Sequence, residues 1–203
     1  MVIDAQKEFC SPWRLMGRRG TWETRRTCIK IANQIPRFRH YGATIYNIYF
    51  DHNPMASAAS IDFYKYKPDF NHDWFVRKSG DSAFRGTDGK LEAHLHDQNI
   101  DTLYICGFNT TACVRSTVLD ALSCDFNVRI FQDLTANDRF AEGDPTEHLK
   151  RLDDLGARSV TSDQRLQDFE ENLIQTTGQK RSNSPKPRLQ IKSILRPLNI
   201  TKP

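Results

Sequence analysis

The sequence predicts a doubly wound α/β layer fold, a parallel sheet with helices on both faces. Three observations predict it. Short apolar runs rich in β-branched and aromatic residues recur along the chain, as buried parallel strands require. Longer, more polar segments of helical character separate them. The 203 residues are 38% hydrophobic, with 12 Phe, 6 Tyr and 3 Trp, enough for the core of one ordinary domain. Strand and helix alternating this regularly imply right-handed βαβ crossovers.

Along the chain, strands are placed at Val2-Ile3, Ala43 to Phe50, Trp74 to Val76, Thr102 to Cys106, Val128 to Phe131 and Ala157 to Val160. A helix is placed from about Trp22 to Tyr41, with Gly42 as its C′ residue and Pro36 as a kink or break. Further helices are placed at Gly89 to Gln98, Thr111 to Ser123, and Thr146 to Leu155, the last closing on Gly156. Asp51 to Asp73 fits neither period. A connection that long reads either as a lid over a site or as a surface excursion.

Charge divides the chain into a body, residues 1–177, and a tail, residues 178–203. Seven of the 29 basic residues lie between Gly178 and Pro203 without one acidic residue, which leaves 22 basic against 25 acidic in the body. A mildly acidic body offers no stripe for tracking phosphates, so nucleic acid is not expected as a partner. The Pro-containing tail reads as a disordered, solvated terminus; the sharper alternative is an electrostatic tether to nucleic acid or anionic lipid. No apolar run approaches the ~20 residues of a membrane span. MVIDAQKEFC has no signal-peptide pattern, and five cysteines without paired spacing fit reduced thiols, so a cytoplasmic protein is expected.

In an open α/β sheet, ligands bind beyond the carboxyl ends of the strands. Three chemistry-bearing residues stand there: Asp4 after the first run, Lys78 after the third and Cys113 after the fourth. Taken singly, an Asp is most often a helix cap and a Lys a surface residue. Cys113 is the strongest on physical grounds. Thr110 and Thr111 are N-cap types, so the thiol falls near a helix start, where N–H groups and a neighbouring Lys78 would lower its pKa. Asp4 would take or relay its proton. Cys10, Cys28, Cys106 and Cys124 read as structural.

These residues sit in blocks that resemble a known family. VIDAQKEF, VRKSGDSAFRGT, YICGFNTTACVRSTVLDAL, FQDLTANDR and EHLKRLDDLGA run in the order found in isochorismatase-like cysteine hydrolases, from Met1 to about Thr161. The resemblance implies a three-layer, Rossmann-like fold with a six-stranded parallel sheet in the order 3-2-1-4-5-6. It implies Asp4 as acid/base, Lys78 as the triad lysine and Cys113 as nucleophile. It also implies a cis peptide at Phe108-Asn109, with the N–H groups of Asn109 and Cys113 as oxyanion hole. Homo-oligomers are usual in the family.

CVRST after a Thr-rich turn is most similar to the branch that cleaves carbamoyl or simple amide substrates. Phe9, Trp13, Phe84 and Phe108 are candidates for walling a small-molecule pocket, and Arg115 for meeting a substrate carboxylate. The same aromatics also suit a core, and Arg115 an ordinary helix surface. Two features depart from the family. The lead-in before the first strand is short, which leaves open whether the N-terminus is complete. The nicotinamidase branch spaces an Asp, one residue, a His and a later His around a metal; here Asp51 and His52 are adjacent and the next His is His72. No metal and no cofactor are therefore expected. The reading is a hydrolase cleaving a small amide-like C–N bond through a thioester. Its alternatives are a vinyl-ether hydrolase of the isochorismate type and a catalytically silent binding protein on the same scaffold.

Overall fold

The computed structural model describes residues 1–11, 20–50, 62–179 and 200–201. Six strands run parallel: β1 (Val2–Ile3), β2 (Tyr46–Phe50), β3 (Trp74–Lys78), β4 (Thr102–Phe108), β5 (Asn127–Ala136) and β6 (Arg158–Val160). Their order is 3-2-1-4-5-6, as the resemblance implies. A short strand β7 (Ile200–Thr201) pairs antiparallel with Val76 and Phe75 at the outer edge of β3. The remaining tail residues, 180–199 and 202–203, lie outside the described residues, and with them the expectation that the tail is disordered.

The helices are α1 (Lys7–Cys10), α2 (Trp22–His40), α3 (Lys90–Asp97), α4 (Arg115–Ser123), α5 (Pro145–Asp154) and α6 (Ser162–Gln179). Period-two alternation in the strands feeds two cores. Ile3, Ile105 and Ile130 pack with Leu91 of α3, Val118 of α4 and Leu152 of α5. Their neighbours Val2, Cys106 and Phe131 face the other way, against Ile31, Ile35 and Phe38 of α2 and Leu166 of α6. That makes the three layers.

Local chemistry accounts for most boundaries. The Thr21 hydroxyl accepts the Thr24 N–H at 3.1 Å and starts α2. The Asp144 carboxylate accepts the Thr146 N–H at 2.9 Å, with Pro145 at the first helical position of α5. Of the two outcomes expected at Pro36, a kink or a break, the break does not occur: α2 runs through it. The buried stripe Cys28, Ile31, Ile35 and Phe38 continues past it, and packing on both sides outweighs one lost hydrogen bond. Helix α6 has no counterpart among the sequence expectations, although Leu166 and Phe169 stand at helical spacing.

The connection between β2 and β3 divides in two. Residues 51–61 lie outside the described residues. Residues 62–73 are a packed surface connection, not a lid. Tyr66 is buried and its hydroxyl donates to Asn47 Oδ1 at 2.7 Å. Asp73, also buried, accepts from Arg39 Nε and Nη2 at 2.9 and 2.7 Å and from the Asp69 N–H at 2.9 Å.

Between β1 and β4 the strand order reverses direction, and the two strands approach very closely there. Gly107 has φ +120°, and a Cβ added to it would lie 1.9 Å from the Ile3 carbonyl oxygen. The reversal opens a crevice at the carboxyl ends of these strands.

Candidate active site

Asp4 follows β1 with φ +50°, a left-handed conformation that Asp tolerates better than most residues. This turn takes the chain out of the strand, while the Asp4 N–H still donates to the Ile48 carbonyl at 2.9 Å. Lys78 ends β3, in register with Phe50 of β2. Its Nζ lies 2.9 Å from Asp4 Oδ2, and both side chains are 0% exposed. The approach is a charge contact without hydrogen-bond alignment. The ammonium donates instead to the carbonyls of Gly80 and Asp81, at 3.0 Å each, and neither Asp4 oxygen has a hydrogen-bond partner. A fully buried carboxylate is costly, and the Lys78 ammonium at 2.9 Å is what offsets the cost here.

Cys113 lies in a π-helical turn, Thr110–Val114, between β4 and α4. The peptide Phe108–Asn109 is cis. Asn109 Oδ1 accepts the Asp138 N–H at 2.6 Å, and Asn137 Oδ1 accepts the Thr111 N–H at 3.2 Å, so the loop after β5 holds this turn. Asp81, within the loop after Lys78, places Oδ1 3.8 Å from Cys113 Sγ.

Burial dominates the electrostatics. It raises the Asp4 carboxyl above the usual carboxylate value, with Lys78 opposing. Lys78 loses by burial but is raised overall by Asp4 and Cys113. The thiol of Cys113 is raised, first by burial and then by Asp4, and Lys78 only partly offsets this. The sequence expectation of a lowered thiol pKa is thereby corrected: burial and the Asp4 carboxylate together outweigh Lys78 and favour the protonated thiol.

A family model, the isochorismatase domain, matches residues 1–164. The chain belongs to the isochorismatase family. No curated protein matches it. Solved structures of family members share its fold. An isochorismatase-like hydrolase from Alkaliphilus metalliredigens is 24% identical with a TM-score of 0.69, covering 83% of this chain and 95% of that one. The N-carbamoylsarcosine amidase of Thermoplasma acidophilum is 24% identical with a TM-score of 0.66, over 80% of this chain and 94% of that one. The pyrazinamidase of Pyrococcus horikoshii, solved with zinc, is 23% identical with a TM-score of 0.68, over 79% and 96%. The protein is thus an isochorismatase-family hydrolase. Among the described residues no helix is long and apolar enough to cross a membrane.

The crevice of this family member holds a cavity of about 130 Å³. Phe9, Phe50 and Phe140 wall it, with Asp81 and Asn109 beside Cys113. A larger apolar cavity of about 240 Å³ lies at the opposite edge of the sheet, against Ile35, Phe38 and Phe131, and contains none of Asp4, Lys78 and Cys113. The smaller one is the cavity that Cys113 lines.

Three of the residues expected in the pocket, Phe84, Phe108 and Arg115, are not among those that line it. Phe84 is buried in the core, its ring centroid 5.7 Å from that of Phe126. Phe108 is buried in the other core. Arg115 is exposed on α4 and does not line the cavity, so it is not the reader of a substrate carboxylate. Trp13 lies outside the described residues, as do Asp51 and His52. His72 precedes β3, at the amino edge, and its Nδ1 is 2.9 Å from Asp69 Oδ2. It is therefore remote from any ligand set at the carboxyl ends, and the described residues contain no group of three metal-binding side chains.

Phe50, Asp81 and Phe140 are site residues that the sequence reading does not single out. Phe50 is legible as the last residue of a strand, and Asp81 as an acidic residue three positions after Lys78. Phe140 stands on a loop whose turn is closed by Asp138, whose carboxylate accepts the Phe140 and Ala141 N–H groups at 2.9 and 3.0 Å. Nothing local to Phe140 marks it.

Proposed function

We propose that this hydrolase cleaves a small amide through a covalent thioester, using Asp4, Lys78 and Cys113. The observation that carries the reading is the buried Asp4–Lys78 contact at 2.9 Å beside a thiol that opens on the cavity. Asp4 ionised, with an oxygen free of hydrogen bonds, is suited to accept a proton. In the first step the Cys113 Sγ–H proton passes to Asp4 as sulfur attacks the substrate carbonyl carbon. Concerted transfer suits a thiol whose free ionisation burial disfavours. The N–H groups of Asn109 and Cys113 would hold the oxyanion. The tetrahedral species collapses, the C–N bond breaks, and the Asp4 proton leaves with the amine or ammonia. Water then gives its proton to Asp4 and its oxygen to the acyl carbon, and the thiol is restored on release of the acid. Lys78 favours the ionised form of Asp4 before each of the two proton transfers to it.

The experiment is a panel of small primary amides and ureido compounds assayed for ammonia, with isochorismate assayed for pyruvate. Ammonia from an amide, lost by about 10³-fold or more in Cys113→Ser, is expected. Pyruvate with full activity in Cys113→Ser would replace this reading with vinyl-ether hydrolysis.

A further inference from the structure

The charge on the cavity wall bears on which amide is cleaved, and its interpretation rests on the amide chemistry proposed for Cys113. Among the described residues that line the cavity, Asp81 carries the only formal charge. Its place is fixed by the machinery itself: Lys78 Nζ donates to the Asp81 carbonyl at 3.0 Å, and the next two residues, Ser82 and Ala83, are buried. The carboxylate is exposed towards the opening, with Oδ1 3.8 Å from the nucleophilic sulfur. Around it stand three phenyl rings. Phe9 is buried, and Phe140 is exposed at the rim, 54% accessible. Phe50 already faces a cation, since Lys78 Nζ lies 4.7 Å from its ring centroid. Among the described residues, no cationic side chain lines the cavity. Lys78 is fully buried and engaged with Asp4 and two carbonyls, and Arg115 is outside the cavity.

We infer that Asp81, with Phe9 and Phe140, forms a subsite for a positively charged group, and that the substrate is a small amide bearing an alkylammonium or quaternary ammonium. Phenyl faces attract such cations, and a carboxylate at the same wall completes the recognition. A substrate carrying a carboxylate would meet Asp81 directly and be disfavoured. The volume near 130 Å³ limits the group to a few carbons around the nitrogen.

The test compares betaine amide, whose trimethylammonium is charged at every pH, with 3,3-dimethylbutanamide, its uncharged isostere, and with malonamate. The readout is the ratio of kcat/KM values. Wild type should favour the cation over the isostere by about tenfold and turn over malonamate worst. Asp81→Asn should bring the cation-to-isostere ratio close to one, and Asp81→Lys should invert the order towards malonamate. A general-base role for Asp81 would instead lower kcat for all three compounds and leave the ratio intact, which overturns the inference. So would a wild-type ratio near one or a preference for malonamate. The same pair is also titrated calorimetrically into Cys113→Ala. If no amide releases ammonia but betaine amide still binds more tightly than the isostere, the amide reading fails and the cation subsite stands. If neither binds preferentially, the subsite fails whatever the chemistry.

Discussion

Lys78 and Asp4 show how much can depend on one pair of buried charges. Each is fully shielded from water, so each has the other as its counter-ion. Lys78→Met leaves Asp4 buried without it, and should destabilise the fold by about 3–5 kcal/mol in urea unfolding. Asp4→Asn combined with Lys78→Met removes both charges and should recover most of that loss, while activity stays absent. The pair also sets a pH dependence. The Lys78 pKa is raised in the fold, so its stabilisation is complete below the usual lysine value of 10.5 and is lost as pH rises through the folded value. In Asp4→Asn the main raising influence is gone and burial lowers Lys78, so this alkaline loss should shrink relative to wild type. Unfolding midpoints between pH 9 and 12 (roughly the span around the lysine value) measure the difference. An alkaline decline identical in both proteins would show that the pair does not couple.

At the scale of elements, the close approach of β1 and β4 positions two of the three site residues, because Asp4 leaves the first strand and the Cys113 turn leaves the fourth. Gly107→Ala puts a methyl group 1.9 Å from the Ile3 carbonyl and needs a left-handed φ as well. Backbone atoms on both sides cannot yield as a side chain would. The substitution should cost more than about 4 kcal/mol and abolish turnover, as read by chemical denaturation and by ammonia release. Most elements are legible in the sequence because each strand is a short β-rich run and each helix has a stop or a cap. The exceptions are informative. Pro36 leaves a kink and a break both open in the sequence, which shows the missing N–H but not how the apolar stripe packs across it. Phe84 reads as a pocket wall because its spacing from Lys78 is right, yet whether a residue after a strand turns inward or outward depends on the next turn. The position of Cys113 is visible in the sequence, but the rise in its pKa is not, because burial is its main cause and only three dimensions reveal burial.

For the whole molecule, the two ends of the sheet are built differently. The carboxyl edge holds strained and under-satisfied groups: Asp4 at φ +50°, its two orphaned oxygens and an exposed Phe140. The amino edge holds Asp73, which ties α2, β2 and the connection before β3 through Arg39, Asn47 and the Asp69 N–H. Asp73→Ala should lower stability by about 3–5 kcal/mol with kcat little changed in the molecules that remain folded, measured below the shifted melting temperature. Loss of kcat equal to that of the Asp4 variants would mean that the two edges are coupled. The position of β1 has a last consequence, for the order in which the protein comes into being. It is made before both strands that flank it, since Val2 pairs with Asn47 on one side and Cys106 on the other. At roughly 5–20 residues per second, Cys106 comes after Val2 by roughly 5–20 s. Asp4 is thus made well before the strand that completes its surroundings, and a nascent chain stalled before β4 holds Asp4 without the turn that carries Cys113.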